Sequence, residues 1–282
     1  VWDFGGQEVY HATHQFFLTQ RSLYLLVWDS RKDTRQSGFD YWLNIIRLLG
    51  NNSPVLLIKN VFDKRDISIA ESQWRQSFPN LKEFLTINCG KTNKKAMKKL
   101  WKAIKYQIGG LEHIGVEWGK DRLEVRRALE EKAKERPFIA LETYLDICRD
   151  VGEITDEKEA ARLSDYLHHL GVILHFQDDD YLNQTVILRS EWGTAAVYKI
   201  LDDPELQKRD GLLYYSDLET RIWGKDDATH RWKASDYPTR KYPTLLRLMH
   251  RFELCFPIQD TNGKQYIVPE LLEADEPKTL DK

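Results

Sequence analysis

Stretches of apolar residues alternate with amphipathic segments from Ser22 to Gly110. The segment 22–29 is almost continuously apolar, which is typical of a strand buried on both faces of a parallel sheet. The pattern predicts two further strands and three helices in alternating order, with the strands at 54–58 and 84–87 and the helices at 39–49, 70–78 and 93–108. This alternation predicts an α/β fold with a mostly parallel sheet that carries helices on both faces.

The predicted helix 93–108 combines an apolar side with many lysines. The apolar side, which we expect to face the sheet, comprises Met97, Leu100, Trp101, Ile104 and Ile108. The lysines fit the solvent-facing side of an ordinary charged helix better than a binding surface, and they are Lys94, Lys95, Lys98, Lys99, Lys102 and Lys105.

Beyond about residue 115 the pattern changes to that of an α+β domain. Helices come first, then two short strands around the Asp178-Asp179-Asp180 turn, then another helix. Gly171 is expected to cap the third of these helices. The order resembles that of a winged helix, with helices at 122–134, 141–149, 156–170 and 190–201 and strands at 172–176 and 185–188.

The same order returns further along the chain. Residues 166–178 (YLHHLGVILHFQD) match residues 248–260 (LMHRFELCFPIQD), with His168 on His250. We therefore predict two tandem winged-helix-like modules, at about 137–201 and 211–272.

Composition limits the classes of function. The 282 residues include 42 Lys and Arg against 44 Asp and Glu, a net charge of -2, so a nucleic acid or an anionic membrane would need a local basic patch. No apolar run approaches the ~18 residues of a membrane span, and no signal peptide is visible. Cys89, Cys148 and Cys255 lie far apart without metal-ligand spacing, which predicts free thiols in a reducing compartment, the cytoplasm.

The opening stretch VWDFGGQEVYH contains two overlapping motifs. Asp3-Phe4-Gly5 resembles a kinase metal-binding triplet, but neither the extended activation segment nor the Ala-Pro-Glu anchor of a kinase follows. Asp3-x-x-Gly6-Gln7 instead precedes a buried strand, as the second switch region of a P-loop GTPase does. In such a motif the Asp holds Mg²⁺ through water, the Gly offers its backbone N–H to a γ-phosphate, and the Gln orients the attacking water.

Two later loops strengthen the GTPase interpretation. Asn60 and Asp63 follow the second strand, where GTPases carry Asn-Lys-x-Asp and the Asp carboxylate accepts hydrogen bonds from guanine. Cys89, Gly90 and Lys91 follow the third strand, where a Ser-Ala-Lys-like turn packs on the base. Because loops that follow parallel strands lie at one edge of a sheet, we expect both loops and the opening aspartate to surround one nucleotide.

The order of these segments resembles the Roc-COR tandem of the Roco proteins, the family that includes the leucine-rich-repeat kinases. The resemblance covers essentially the whole chain and is carried by DFGGQEVYHATHQFFLTQRSLYLLVWDSR, SPVLLIKNVFD, LSDYLHHLGVILHFQD, VILRSEWGTAAVYKIL and LLRLMHRFELCFPI. It implies the C-terminal two-thirds of a Ras-like Roc GTPase domain at 1–112 and the N-terminal subdomain of COR at 113–282.

The resemblance also implies an activity for the intact protein. That protein would bind GTP or GDP with Mg²⁺, hydrolyse GTP and couple its nucleotide state to homodimerisation, often with leucine-rich repeats upstream. A Roc-COR interface is implied within the chain, and the main dimerisation part of COR beyond Lys282. Gln7 would be catalytic and Asp3 would hold Mg²⁺ through water, while the nucleotide-binding residues would be Asp3, Gly6, Asn60, Asp63, Cys89, Gly90 and Lys91.

Two departures from the family pattern limit these implications. The phosphate-binding GxxxxGK[ST] loop is not present, and we expect it to precede Val1, so this chain alone is not expected to hydrolyse GTP. Val61 replaces the Lys whose stem packs on the base, which puts guanine affinity in question.

Rival interpretations stay open. Asn60 and Asp63 also favour a simple turn at the end of a strand. A non-catalytic scaffold with a degenerate nucleotide pocket is the main alternative, and Val61 favours it. DNA binding through the winged helices comes third, because the helix 156–170 is more acidic than basic and the turn 178–180 adds three aspartates, which repel a duplex.

The second half is instead expected to pack against Roc or a partner subunit. Apolar faces that include Trp192, Trp223 and Trp232 would supply these contacts. The histidines of this half are expected to be core and surface residues rather than a metal site, and they include His168, His169 and His175.

Overall fold

The computed structural model describes residues 18–31, 38–61, 70–90, 93–111, 114–115, 117–226 and 231–272. These residues form two compact units, and the division lies between Trp118 and Gly119. The first unit is α/β and the second is α+β, so the predicted fold class is confirmed. No helix in the described part of the chain is both long and apolar enough to cross a membrane.

The first unit is built on a three-stranded parallel sheet in the order β1-β2-β3. Val55 and Leu57 of the central strand pack on one face, in a cluster with the first helix, while Leu56 and Ile58 pack on the other face, in a cluster with the third helix. The elements are β1 (Tyr24–Asp29), α1 (Phe39–Leu49), β2 (Val55–Asn60), α2 (Glu71–Ser77), β3 (Leu81–Ile87) and α3 (Lys94–Gly109).

Strand β1 is less buried than the sequence predicts. Trp28 is buried on one face, but on the other face Leu25 is 44% exposed and Val27 is 61% exposed. The prediction that this strand is buried on both faces is therefore wrong. The reason is that α3 packs on β2 and β3 through Leu100 and Ala103 and leaves this side of β1 open among the described residues.

Helix α3 also buries a narrower side than predicted. Leu100 and Ala103 are buried, whereas Met97 is 43%, Trp101 56% and Ile108 37% exposed. The prediction that these three residues face the sheet is wrong, because the described sheet contacts only the side of the helix that carries Leu100. The lysines of α3 are all exposed, as predicted.

The second unit contains twelve α-helices and β-strands in its described residues, and several are short. Single 3-10 or π turns connect some of them, for example at Leu182–Gln184 and Leu218–Ile222. The elements are α4 (Lys120–Glu135), β4 (Phe138–Ala140), α5 (Leu141–Gly152), α6 (Glu157–His169), β5 (Thr185–Ile187), α7 (Ser190–Leu201), α8 (Pro204–Lys208), β6 (Leu212–Tyr214), α9 (Tyr215–Asp217), α10 (Tyr242–Arg251), β7 (Phe256–Pro257) and β8 (Gln265–Ile267).

The two predicted modules have the same strand order. Strand β4 pairs antiparallel with β5, and Leu174 bridges to Ile187 of β5. In the second module β6 pairs with β8, and β8 pairs with β7. In both modules the last strand is the central one. The first strand pairs with one of its edges, and the middle segment pairs with the other edge. The assignment of the modules as winged helices stays a prediction.

The predicted strand 172–176 is reduced to the single bridge at Leu174. The backbone amide of His175 donates to Nδ1 of His168 at 3.1 Å, so it is not available to a strand ladder. Helix α6 ends just before Gly171, whose φ of 68° is the left-handed conformation expected after a helix end.

One apolar core runs through both modules. Trp192 and Trp223 are fully buried, and each indole N–H donates to a backbone carbonyl at 2.9 Å. The ring of Tyr237 stacks against both indoles, at 5.9 Å and 6.3 Å. Trp232 joins the same core. The prediction that these tryptophans form outward docking faces is therefore wrong.

Ion pairs also connect the modules. Arg247 of α10 donates to Asp179 at 2.8 Å, and Arg251 donates to Asp178 at 2.8 Å. The acidic turn of the first module is thus partly neutralised by a helix of the second.

Candidate functional site

The site begins at the carboxyl edge of the parallel sheet. Asp29, the last residue of β1, pairs in register with Asn60, the last of β2, and Asn60 pairs with Ile87, the last of β3. The loops that follow these strands therefore start from one line of neighbouring residues. This edge is where parallel α/β sheets bind ligands.

Asn60 holds the three strand ends together. Its backbone carbonyl accepts from the amide of Ser30 at 3.1 Å. Its side-chain Oδ1 accepts from the amide of Cys89 at 3.0 Å, and the residue is only 9% exposed. The amide of Val61 donates to the carbonyl of Ile87 at 2.9 Å. The structure thus brings together Asn60 and Cys89, two of the predicted site residues.

The loop after β3 contains two exposed residues and one buried polar atom. Cys89 and Gly90 are exposed at a turn. Next to them, Oδ1 of Asn88 is buried and has no hydrogen-bond partner among the described residues. Sequence reasoning did not select Asn88, because no motif marks it. An unpaired buried acceptor at this edge can accept a hydrogen bond from a ligand or from water.

Asp29 is a second residue at this edge that sequence reasoning missed. Its carboxylate accepts from Nε of Arg31 at 2.9 Å and from Nη2 of Arg31 at 2.5 Å. The fork-shaped contact neutralises the carboxylate locally. Asp29 is therefore engaged by a cation of its own loop.

The other predicted site residues lie outside the described residues. They are Asp3, Gly6, Gln7, Asp63 and Lys91. Their roles stay predictions. Among the described residues no group of three or more His, Cys, Asp or Glu side chains is placed to hold a metal ion, and the predicted Mg²⁺ ligand, Asp3, is not one of them.

The second unit contains a buried histidine network. One ring nitrogen of His175 shares a hydrogen bond with the hydroxyl of Ser164, and the other lies 2.8 Å from the carbonyl of Asn183. Burial lowers the pKa of His168 to about 4, and burial also lowers the pKa of His175. These contacts are those expected of two neutral histidine rings that hold the end of α6 in place. Their role is therefore structural.

An open cavity of about 430 Å³ lies where the two modules meet. The guanidinium of Arg247 at its wall is engaged by Asp179, so the cavity offers aromatic rings more than free charge. Its lining consists of Tyr181, Tyr215, Pro243, Leu246, Arg247, His250, Pro257 and Tyr266.

Two family models match the chain. One is described as "C-terminal of Roc, COR-A domain" and matches residues 120–272. The other is described as "Ras of Complex, Roc, domain of DAPkinase" and matches residues 1–63. The first model alone covers more than half of the chain.

One solved structure and two curated proteins are also similar to this chain. The structure of Methanosarcina barkeri Roco2 RocCORdC bound to GDP is 36% identical, with a TM-score of 0.83, over 96% of this chain and 79% of that one. The probable serine/threonine-protein kinase pats1 of Dictyostelium discoideum is 26% identical over 98% of this chain, and the Roc-COR-CHAT protease of Runella zeae is 27% identical over 99%. The chain spans only 9% and 29% of the lengths of these two relatives.

Proposed function

Because this chain belongs to the Roco family of Roc-COR proteins, we propose that its first unit is part of a Roc domain that binds GTP and GDP and, in the intact protein, hydrolyses GTP. The observation that carries the proposal is the hydrogen bond between Asn60 and Cys89, which joins the two loops expected to enclose guanine. The GDP-bound relative supports the same nucleotide class.

The proposed roles extend to residues outside the described ranges. Gln7 orients the attacking water, Gly6 senses the γ-phosphate, and Asp3 holds Mg²⁺ through water. When bound, Mg²⁺ would supply the positive charge that neutralises the phosphates. Guanine is read by the carboxylate of Asp63, while Asn60 fixes the loop beside it. Cys89, Gly90 and Lys91 form the turn that packs on the base.

The second unit is proposed to act as the N-terminal subdomain of COR. In this proposal residues 1–112 belong to Roc and residues 113–282 to COR, which transmits the nucleotide state to a homodimer. The chain spans a small part of its curated relatives, so hydrolysis and dimerisation are proposed for the whole protein. Three free thiols support a cytoplasmic location.

The guanine assignment is tested by Asp63→Asn in the whole protein. Because an amide presents a donor where the carboxylate accepts, the variant should lose its preference for guanine nucleotides and bind xanthine nucleotides better. Competition against fluorescent mant-GTP measures both affinities. Asp66→Asn, the same change three residues further on, is the matched control and should leave the ranking unaltered. An unaltered ranking in both variants rejects the assignment.

A non-catalytic scaffold is the alternative function. Val61 favours it, because the base plane loses the Lys stem found in the family motif. Titration of the whole protein with mant-GTP, with and without Mg²⁺, separates the two functions. A saturable Mg²⁺-dependent signal supports the GTPase, and no such signal supports the scaffold.

A further inference from the structure

Helix α3 has a one-sided charge. Its 16 residues include six lysines and no acidic residue, and none of these lysines makes an ion pair or a hydrogen bond within the described residues. Helix α4 also has 16 residues, but it balances six basic residues with five acidic ones. Its lysines pair along the helix, as Lys120 with Glu124, Lys132 with Glu135 and Lys134 with Glu131. Helix α4 has the paired charges of an ordinary solvent-facing helix. Because α3 lacks such pairs among the described residues, its row of lysines needs another explanation.

The lysines of α3 form one continuous outward face. At 3.6 residues per turn, Lys94, Lys98 and Lys105 lie in one row along the helix. This row is about 17 Å long at 1.5 Å per residue. The other three lysines lie beside it, and Tyr106, 76% exposed, lies among them. We call these seven residues the α3 lysine face: Lys94, Lys95, Lys98, Lys99, Lys102, Lys105 and Tyr106.

The apolar flank of α3 is separate from this face. Met97, Trp101 and Ile108 lie between the lysines and the sheet. Nothing in the structure shows what covers them, so they do not enter the inference.

The positive charge is not diluted by the rest of the first unit. Residues 18–118 carry 17 basic and 9 acidic side chains, a net charge of +8, whereas the whole chain has a net charge of -2. The remaining residues therefore carry -10. This asymmetry concentrates a positive field on one part of the protein, and such a field attracts anionic surfaces.

We propose that the α3 lysine face docks the protein onto an anionic lipid surface. The face contains lysines and no arginine, and lysine acts as a flexible point charge rather than as a fork for one bound group. The charges are spread along a helix, which suits the diffuse charge of lipid headgroups better than a single anionic ligand. The amphipathic ring of Tyr106 fits the headgroup level. Docking is peripheral.

The experiment compares binding of the whole protein to phosphatidylcholine vesicles with and without phosphatidylserine, by co-sedimentation. The test variant is Lys94→Gln, Lys98→Gln and Lys105→Gln together. The matched control is Lys120→Gln, Lys132→Gln and Lys134→Gln, which removes the same charge from α4. Glutamine keeps helix propensity, and circular dichroism checks that both variants fold.

The unaltered protein should sediment only with the vesicles that contain phosphatidylserine. The α3 variant should partition about 100-fold more weakly, since each Lys near such a surface changes partitioning roughly fivefold. The α4 variant should stay within about twofold of the unaltered protein, because its lysines are already paired. Equal loss in both variants, or no preference for phosphatidylserine, overturns the proposal. Binding to polyglutamate without binding to vesicles also overturns it, and assigns the face to an acidic protein.

Discussion

The Oδ1 atom of Asn60 accepts a hydrogen bond from the backbone amide of Cys89 at 3.0 Å, across 29 positions of sequence. This bond ties the loop after β2 to the loop after β3. In the proposed function both loops contact guanine, so one buried side chain fixes the separation of the two walls of the base pocket.

Asn60→Ala should weaken the binding of guanine nucleotides by the whole protein about tenfold, because a lost hydrogen bond to a partly buried amide costs ~1–2 kcal/mol. Cys89→Ala is the matched control. It keeps the amide that donates the bond and shortens only a side chain of the turn expected to pack on the base, so it should lower affinity less than Asn60→Ala does. Isothermal titration with GDP measures both. Equal effects of the two substitutions would show that the thiol, rather than the link between loops, matters.

Asp179 should be the most sensitive residue of the acidic turn. Its Oδ1 accepts from the amides of Tyr181 and Leu182 at 3.1 and 3.0 Å, and its Oδ2 accepts from Arg247. Asp179→Ala removes all three contacts and should lower the free energy of unfolding by about 2–4 kcal/mol. Urea denaturation followed by tryptophan fluorescence measures the change.

Two substitutions serve as controls for Asp179→Ala. Asp179→Asn keeps an acceptor for the two amides and should cost about 1 kcal/mol. Asp178→Asn removes an exposed ion pair with Arg251 and should cost less than about 0.5 kcal/mol. If Asp179→Asn were as damaging as Asp179→Ala, the charge of the turn would matter more than its backbone contacts.

His168 should make stability depend on pH. Its pKa is about 4 when folded, chiefly because of burial, and ~6.5 when unfolded. The unfolded chain therefore binds more protons between these values, so stability is full above about pH 6.5 and falls as the pH drops toward 4. His168→Asn keeps an acceptor near the Nδ1 position, which receives the amide of His175.

The His168→Asn variant should lose less stability than the unaltered protein between pH 7 and pH 5, by at most about 2 kcal/mol. Thermal unfolding at a series of pH values measures this difference. The assignment fails if the two proteins lose stability in parallel over this range.

Gly211 should tolerate no side chain. Its φ is 74°, and a Cβ there would lie 2.4 Å from the carbonyl oxygen of Val268. Gly211→Ala should lower the free energy of unfolding by about 2–4 kcal/mol, because the cost of the left-handed backbone and the cost of the close contact with the Val268 backbone add together. Gly109→Ala is the control, since no atom lies within 4 Å of its added Cβ, and it should be neutral or stabilise by up to about 1 kcal/mol. Thermal unfolding ranks the two.

The sequence predicts helices and strands well where an element with a periodic apolar pattern packs against a single neighbouring surface. Helix α1 has the predicted bounds, Phe39–Leu49, and β2 is apolar on both faces as expected. Predictions fail where burial depends on how far a neighbouring element extends. Val27 and Trp101 belong to clear apolar patterns, yet α3 and the sheet overlap too little to bury them. The extent of this overlap cannot be predicted from the local pattern of apolar residues.

The candidate site was predictable only in part. The order of motifs along strands located Asn60 and Cys89, but their hydrogen bond depends on the register of β2 against β3, which places Asn60 beside Ile87. Asn88 has no motif, and only its unpaired oxygen marks it. In the second unit, the backbone amide of His175 donates to the ring of His168 instead of to a neighbouring strand. The sequence pattern does not predict this contact either, because the acceptor is a side chain.

The continuous interior around Trp192, Tyr237 and Trp223 means that the second module has no hydrophobic core separate from α7 of the first. Cleavage between α7 and β6 would leave each half with solvated aromatic rings, and both halves would aggregate rather than persist. Limited proteolysis should therefore release this region as a single resistant piece. If an ancestral duplication produced the matching segments, the second copy has since come to depend on α7 of the first for its interior.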